Sequence, residues 1–368
     1  MKKLCKAMLG LLQQGENFAV ATLFDKSGSA PRSEGAKMIV RSDGSIVGTI
    51  GGGRLEARAI VVARETIAAR KTVIQSFDLT SKDAAASDMI CGGSGEILVD
   101  FIDARDDDNL KIYSEAAEIL ARGGKGWLVT VLGKTSDAAG ISRQQCLVKP
   151  DKTLIGNVDC SPQLMEKLIA GPAKISIHSE AQDGPRFLVE PVRQGGTVFL
   201  FGAGHVSQKI APLSESVGFR TIVMDDRADY ANRERFPEPI ECRVIDSFQK
   251  LPGLDIDGDS YLVIVTRGHL YDKDVLEQVL RSKAAYVGMI GSRRKRDLVY
   301  EEIIAHGFAK EELERVYSPI GTNIGAETPE ELAVSIVGEL VKVRSSKGDQ
   351  KKVDRTRDST SCCRIQAE

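Results

Sequence analysis

The residues best suited to chemistry form a glycine-rich turn in the C-terminal half of the chain. The segment VFLFGAGHVS (198–207) is typical of a strand that leads through a tight turn into a helix, and Asp225 ends the next apolar run. Such a turn lets backbone N–H groups approach a phosphate at the helix N-terminus. The acidic residue that ends the second strand is where such folds hold a ribose diol. The residues that we therefore predict to bind a nucleotide-like ligand are Gly202, Gly204, His205 and Asp225.

The match to the dinucleotide pattern is imperfect, because Ser207 stands where a third glycine is expected. Close packing of helix on strand tolerates a serine at that position. The alternative is a scaffold of the same fold that no longer binds a nucleotide.

Polar residues also follow two later strands. The segment TRGH (266–269) places His269 in one loop, and GSRRKR (291–296) places four consecutive cations at a helix start. Loops at the carboxyl ends of parallel strands line a ligand crevice, so we expect His205 and His269 to face each other there. Cations oppose the dipole at a helix N-terminus, so Arg293 and Arg294 are predicted to bind an anionic group. The alternatives are hydrogen bonds within the loops for the histidines and a solvated helix start for the cations.

Three short runs in the N-terminal half suggest a second ligand surface. They read SAPR (29–32), GGGRLE (51–56) and CGG (91–93). Consecutive glycines form backbone nests for anions or allow close backbone approach, and a thiol beside two glycines is sterically open. Each run alone is compatible with an ordinary tight turn. The residues that this surface would use are Gly51, Gly52, Gly53, Arg54, Cys91, Gly92 and Gly93.

The spacing of apolar residues predicts two folded domains of different kinds. Residues 1–192 read as an α+β domain in which strands outnumber helices. Residues 197–344 alternate strand and helix, which predicts a Rossmann-like doubly wound parallel sheet that ends in a helix from about 329 to 343. The polar tail, 345–368, is predicted to be disordered or loosely attached. No internal repeat of solenoid period is evident.

Composition excludes several classes of protein. The 368 residues carry 50 Lys+Arg and 52 Asp+Glu, so there is no global basic field for nucleic acid. No apolar run of 18 residues and no signal peptide are evident, which predicts a cytoplasmic protein that does not bind membranes. Seven scattered cysteines without a CxxC pair argue against structural disulfides and against a zinc site.

These motifs together resemble the XdhC/CoxI family, the xanthine dehydrogenase accessory proteins and their relatives. The segments that carry the resemblance are GSAPRSEGAKMIV, DGSIVGTIGGGRLEA, CGGSGEILVD, FGAGHVSQKIAPLSESVGFRTIVMDDR, YVGMIGSRRKR and SPIGTNIGAETPEELAVSI. They run in order from about residue 28 to 340. The stretch 104–190 matches no motif of the family, and the tail lies outside its pattern.

The resemblance implies an accessory factor rather than an enzyme. Such a factor binds the molybdenum cofactor (molybdopterin), protects it while a cysteine desulfurase sulfurates it, and delivers it to an apo molybdenum hydroxylase of the xanthine dehydrogenase type. The resemblance also implies a homodimer. By position, the family's motifs fall on Gly51–Gly53, Cys91–Gly93 and Gly202–His205. Thiolates are soft ligands, so Cys91 is the thiol predicted to lie near the molybdenum or to hold the labile sulfur.

Two other functions compete with this interpretation. The GAGH turn followed by Asp225 favours an NAD-dependent oxidoreductase, because a carboxylate there suits NAD better than NADP. No convincing acid–base pair beside a substrate pocket supports that function. A cytidylyltransferase-like nucleotide transferase would need Asp225 and Asp226 as metal-binding carboxylates.

Overall fold

The chain divides into an N-terminal unit, Met1–Arg193, and a C-terminal unit, Gln194–Glu368. The computed structural model describes residues 1–28, 34–78, 93–134, 141–170, 175–179 and 184–360. No described helix combines the length and the apolar character that crossing a lipid bilayer requires.

The described part of the N-terminal unit holds two antiparallel sheets of five strands each. The strands of the first sheet are β1 Phe18–Gly28, β2 Lys37–Arg41, β3 Ile46–Gly48, β4 Val73–Asp78 and β5 Gly93–Ile102, in the order β3-β2-β1-β5-β4. The strands of the second sheet are β6 Lys125–Lys134, β7 Ile141–Val148, β8 Leu154–Asn157, β9 Ser176–Ser179 and β10 Arg186–Arg193, in the order β8-β7-β6-β10-β9.

Helices cover and join these two sheets. They are α1 Lys2–Gln13, α2 Gly53–Ala69, α3 Asp107–Arg122 and α4 Pro162–Ile169. One face of α1 buries Cys5, Met8, Leu11 and Leu12 at helical spacing. This face and that of α3 share one apolar core with both sheets, whereas α2 packs against the first sheet and α4 against the second.

The C-terminal unit is the doubly wound parallel sheet that the sequence predicts. Its strands are β11 Thr197–Phe201, β12 Arg220–Asp225, β13 Glu241–Val244, β14 Ser260–Ile264, β15 Tyr286–Met289 and β16 Val316–Tyr317. Their order is β13-β12-β11-β14-β15-β16, and all pairs are parallel. This 3-2-1-4-5-6 order places the switch point between β11 and β14, where such folds bind ligands.

Helices cover both faces of the parallel sheet, and each face has an apolar core of its own. They are α5 His205–Ser216, α6 His269–Val279, α7 Arg293–Ala305 and α8 Pro329–Thr360, with a short 3₁₀ helix at Lys310–Arg315. The four inner strands, β12, β11, β14 and β15, are almost continuously buried, because helices lie on both sides of the sheet.

The last helix differs from the prediction. We expected it to end near residue 343, but α8 continues to Thr360. That the tail from 345 is disordered or loosely attached to the fold stays a prediction. No proline follows Val343, and the lysine, arginine and glutamine residues of this stretch have good helix propensity. A polar composition therefore does not stop the helix here. Residues 361–368 lie outside the described part of the chain.

Candidate functional site

The turn at Gly202 requires glycine for two independent reasons. Its φ of +109° is strained for any residue with a side chain. A Cβ atom there would also overlap the carbonyl oxygen of Val265, and it would lie 2.9 Å from Val265 C and 3.0 Å from Thr266 Cα. Ser207, which is buried, donates a hydrogen bond from Oγ to the carbonyl oxygen of Gly202. The serine at the third-glycine position therefore holds the turn closed.

Gly204 is glycine for a different reason. Its φ is −73°, which any residue adopts, and a Cβ atom there would meet nothing within 4 Å. It is the N-cap of α5, and no side chain caps that helix. Gly268 holds the same position at the start of α6, again without a side-chain cap and with open space around it. Two uncapped helix N-termini, bearing the exposed His205 and His269, thus follow the neighbouring strands β11 and β14.

Asp225 lies at the end of β12, but its carboxylate is already engaged. The residue is 1% exposed, and its Oδ2 accepts a hydrogen bond from Ala203 N at 2.8 Å. Its Oδ1 accepts from Arg227 Nε at 2.9 Å, and this hydrogen bond raises the pKa of Arg227. The carboxylate ties β12 to the glycine turn. A ribose contact by Asp225 stays a prediction and would need these bonds to rearrange.

A second ion pair bridges the loops that follow β12 and β14. Both guanidinium nitrogens Nη1 and Nη2 of Arg267 donate to Asp226, the second of them at 2.8 Å, and Nη2 also donates to Tyr271 Oη at 3.1 Å. The Asp226 hydrogen bonds raise the pKa of Arg267 and lower that of Asp226. With both carboxylates bound to arginine, Asp225 and Asp226 do not form a free pair that could hold a metal ion.

Two of the four predicted cations have structural partners. Arg296 donates to the carbonyl oxygen of Ser318 at 3.4 Å and pairs with Asp297 at 2.6 Å. Lys295 Nζ donates to Asp272, which is fully buried and also accepts from Thr266 Oγ1 at 2.6 Å. Burial raises the pKa of Asp272 despite these bonds. The contact fastens α7 to α6, so Lys295 serves packing in addition to any ligand.

Arg294 and Lys295 line a cleft. A cavity of about 440 Å³ lies between α6 and α7, and its lining residues are His269, Ser292, Arg294, Lys295 and Leu298. Arg293, which precedes the lining residue Arg294, is exposed at the first position of α7. The structure thus brings the predicted residues His269 and Arg294 together. His205 starts the helix after β11, one strand away, and is not among the residues that line this cavity.

The Gly51–Gly53 turn is occupied by the chain itself. All three glycines have positive φ, and Glu56 Oε2 accepts hydrogen bonds from Ile50 N and Gly52 N at 3.2 Å and from Thr49 Oγ1. These bonds, that of Thr49 first, lower the pKa of Glu56. An internal carboxylate therefore fills the position that the sequence predicts for an external anion. Arg54 follows, exposed in the first turn of α2.

The cysteine motif falls largely outside the described part of the chain. Cys91 and Gly92 are not among the described residues, and Gly93 starts β5 opposite Gly28. β3 runs toward the same end of the first sheet and leads to the Gly51–Gly53 turn. In the strand register its last residue, Gly48, is level with Ala21 on β1, which lies seven residues before Gly28. Seven strand residues span roughly 23 Å. The anchor points of the two glycine motifs are thus well separated along the sheet.

Two other cysteines are unsuited to reaction, and Cys362 and Cys363 lie outside the described residues. Cys5 and Cys146 are buried, and burial raises their pKa values to about 11 and about 12. Within the described ranges, no three or more His, Cys, Asp or Glu side chains are grouped to hold a metal ion. The prediction that Cys91 contacts a metal is untouched by this finding.

Sequence reasoning missed Glu56, Arg267 and Asp272. Glu56 and Asp272 each lie four residues after a glycine N-cap, where a carboxylate can turn back toward the helix start. That spacing is the signal that could have found them. The partner of Asp226 lies 41 residues away, so no local pattern indicates it.

Comparisons with known proteins agree with this architecture. The XdhC and CoxI family matches residues 11–78, and the XdhC Rossmann domain matches residues 198–340. A solved structure described as a xanthine dehydrogenase from Bacillus halodurans has a TM-score of 0.76 at 22% identity, over 94% of this chain and 96% of that one. At that identity the likeness shows the fold.

Three curated proteins are similar in sequence. A Bacillus subtilis protein, named as a probable subunit of xanthine dehydrogenase, is 26% identical over 338 residues, which cover 91% of this chain and 95% of that protein. The uncharacterised protein YqeB of Escherichia coli is 27% identical over 337 residues, but the chain spans only 45% of its length. The molybdenum cofactor insertion chaperone PaoD of E. coli is 25% identical over 104 residues, 28% of this chain and 33% of PaoD.

Proposed function

The chain belongs to the XdhC and CoxI family, and from this premise we propose that it binds molybdenum cofactor and delivers it to a molybdenum hydroxylase of the xanthine dehydrogenase type. The cofactor is cargo, which the chain holds while a cysteine desulfurase sulfurates it. The name of the similar chaperone PaoD supports the choice of cargo, and that of the similar B. subtilis protein supports the choice of recipient.

The cleft between α6 and α7 is the observation that carries the proposal. Its volume of about 440 Å³ is within the range of small-molecule sites, and Arg294 and His269 line it. The molybdenum cofactor bears a terminal phosphate, which suits an arginine and the uncapped N-terminus of α6. Arg293 and Arg294 would hold the phosphate, and the turn at Gly204 would leave room for the rest of the molecule.

The ionisable groups around the crevice argue for binding rather than catalysis. Asp225 is bound to Arg227, Asp226 to Arg267, and Asp272 to Lys295. A general acid or base must exchange a proton with its substrate, and a carboxylate held by a cation does so poorly at neutral pH. We therefore propose a carrier without a reaction of its own. The family resemblance is the reason for proposing that it acts as a homodimer.

Cys91 stays in this proposal as the thiol nearest to the chemistry of sulfuration. It is the cysteine next to two glycines in a family motif, and thiolates suit soft metal centres. Full delivery of sulfurated cofactor by Cys91→Ala would remove that role and leave the carrier function standing.

An NAD-dependent oxidoreductase is the second candidate. The strand order and the turn at Gly202 favour a dinucleotide, but the burial of Asp225 leaves no free carboxylate for the ribose of the adenosine half. A calorimetric titration with NAD⁺ and NADH separates the two candidates. We expect no saturable heat at micromolar concentrations, and tight binding would favour the oxidoreductase.

Delivery itself tests the proposal. The chain is purified from cells that make the cofactor, mixed with apo-hydroxylase, and hydroxylase activity is followed over time. We expect activation by the wild type and at least a tenfold weaker activation by R293A/R294A, because the phosphate loses its two cations. The control R122A/K152A removes two exposed, ion-paired cations of the N-terminal unit and should activate normally. Equal activation by both double variants would contradict the assignment of the cleft.

A further inference from the structure

One order of described elements occurs twice in the N-terminal unit. The described elements of residues 2–102 run α1-β1-β2-β3-α2-β4-β5, and those of residues 107–193 run α3-β6-β7-β8-α4-β9-β10. The spatial strand orders correspond position by position, since β3-β2-β1-β5-β4 becomes β8-β7-β6-β10-β9. The neighbours of each central strand correspond too: β1 lies between β2 and β5, and β6 lies between β7 and β10, in antiparallel pairs.

A constant offset of 108 residues relates the two halves from α1 to the end of β3. The helices α1 and α3 bury matching positions. The matched pairs are Cys5 and Tyr113, Met8 and Ala116, Leu11 and Ile119, and Leu12 and Leu120. The strands show the same offset on both faces. The matched pairs there are Val20 and Leu128, Ala21 and Val129, Leu23 and Val131, Met38 and Cys146, Ile39 and Leu147, and Val40 and Val148.

The two hairpins agree in backbone detail. Gly48 and Gly156 have φ of +89° and +88°. A Cβ atom on Gly48 would lie 2.7 Å from the carbonyl oxygen of Lys37, and one on Gly156 would lie 2.6 Å from the carbonyl oxygen of Gln145. Gln145 lies 108 residues after Lys37, just as Gly156 lies 108 residues after Gly48. The nearest side chains to these Cβ positions, those of Leu4 and Ile112, keep the same offset.

The turns of these hairpins are closed in the same way. Asp43 Oδ1 accepts from Ser45 N at 2.8 Å, and Asp151 Oδ1 accepts from Thr153 N at 2.9 Å. The residue between each pair, Gly44 or Lys152, has positive φ. A lysine at positive φ is uncommon, and its presence indicates that the second hairpin keeps a backbone shape that the first builds with glycine.

Buried charges cross between the halves in both directions. Lys37 on β2 pairs with Glu190 on β10 at 2.9 Å, and Arg143 on β7 pairs with Asp100 on β5 at 3.1 Å. Asp100 lies opposite Val20 on the central strand β1, and Glu190 lies opposite Leu128 on β6. These two carboxylates therefore hold equivalent positions. The cations are not equivalent, because the counterpart of Lys37 is Gln145, which accepts a hydrogen bond from Arg143 at 2.7 Å. Each carboxylate is nevertheless met by a cation of the other half, and equivalent groups that face the opposite copy are a feature of isologous interfaces.

We propose that the two halves are copies of one module. They pack against each other within the chain in the way that two subunits pack in a twofold dimer. The partner surface of each module is thus a second copy of itself, formed by the α1 and α3 faces and the facing sides of the two sheets. The copies differ at the start of their second helix. Gly52 begins α2 without a side-chain cap, whereas Ser161 caps α4 by accepting from Leu164 N at 3.2 Å, with Pro162 next.

Exchanging equivalent segments within the full-length chain tests this proposal. One variant exchanges residues 38–48 with residues 146–156, which keeps every inward and outward position and leaves the total side-chain content of the core unchanged. A matched control places residues 147–157 at 38–48 and residues 39–49 at 146–156. That slip of one residue turns every side chain to the other face of its strand.

Cooperative thermal unfolding, followed by circular dichroism, is the readout. We expect the aligned exchange to unfold cooperatively with a midpoint lowered by less than about 10 °C, since volume-conserving swaps cost little. The shifted exchange should show no cooperative transition for the N-terminal unit. Two variants that behave alike, whether both folded or both unfolded, would overturn the proposal, as would a folded shifted exchange beside an unfolded aligned one. The result does not depend on what ligand the chain carries.

Discussion

The two glycine-rich turns of this chain begin helices in opposite ways. At Gly51–Gly53 the carboxylate of Glu56 folds back and accepts hydrogen bonds from the turn's own amides. At Gly202–Gly204 no side chain caps the helix, and the space around Gly204 is open. Neither helix has a side-chain cap, but the backbone amides before α2 are already bound to Glu56, whereas the open space at Gly204 leaves room for a ligand at the start of α5.

The two turns differ in the residue that follows the N-cap by four positions. Glu56 and Gln208 each lie four positions after the glycine N-cap of their helix, but only the glutamate is an anion. A glycine run therefore does not by itself mark an anion site, because the chain's own acid can occupy it. The carboxylate near the second turn is that of Asp225. It accepts a hydrogen bond from Ala203 N, which precedes the helix, and does not bond to the first amides of α5.

Substituting the two glycines of the open turn should have very different effects. Gly202→Ala is expected to lower the free energy of unfolding of the C-terminal unit by more than about 3 kcal/mol, because it combines a strained φ with backbone overlap. Gly204→Ala should change that free energy by less than about 0.5 kcal/mol, because its Cβ meets no atom. Urea unfolding of both variants measures this. Equal losses would mean that the turn is not shaped as described.

Removing Asp225 should cost nearly as much. Asp225→Ala leaves a buried backbone N–H of Ala203 and the guanidinium of Arg227 without their acceptor, so we expect a loss of about 3 kcal/mol. Asp226→Ala breaks the more exposed pair with Arg267 and should cost about 1 kcal/mol or less. The two variants, compared by the same unfolding measurement, distinguish a buried tie from a surface ion pair. A neutral Asp225→Ala would return this carboxylate to the set of ligand-binding candidates.

The closed turn should depend on the charge of Glu56, with a smaller effect. Glu56→Gln is expected to lower the free energy of unfolding by about 1 kcal/mol at pH 7, in the range of a weakened hydrogen bond to a charged group. The pKa of Glu56 is lowered in the folded chain, so its contribution is present above the unfolded value near 4.5 and is lost as pH falls through the lower, folded value.

Urea unfolding at pH 7 and pH 3 checks the dependence on Glu56. The difference between wild type and Glu56→Gln should shrink at pH 3. As a control, Glu118→Gln breaks only a surface pair with Arg122 and should have less than half the effect at pH 7. A pH-independent difference for Glu56→Gln would show that packing, rather than charge, closes this turn.

Much of the fold follows from local sequence pattern. The alternation of strands and helices after residue 197 predicts the parallel sheet, and the GAGH segment correctly marks the turn after its first strand. The site is less predictable, because the role of each charged side chain depends on which group it pairs with in the folded chain. Asp225 has the right position for a ribose and still binds Arg227, and Lys295 reaches back 23 residues to Asp272.

The duplication in the N-terminal unit shows another limit of prediction from sequence. A single repeat at 108 residues is far longer than the solenoid periods that a sequence is searched for, and most paired positions share apolar character rather than identity, as Cys5 and Tyr113 do. Such a relation becomes evident through strand register and through paired glycines of equal φ.

The carrier function is tested most directly by what the chain holds when it is purified from cells that make molybdenum cofactor. Molybdenum is measured by mass spectrometry, and pterin by the fluorescence of its oxidised form, each per mole of chain. We expect close to one of each per chain for the wild type, and little of either for R293A/R294A. A wild-type chain that carries no pterin, and holds NAD(H) instead, would contradict the carrier function.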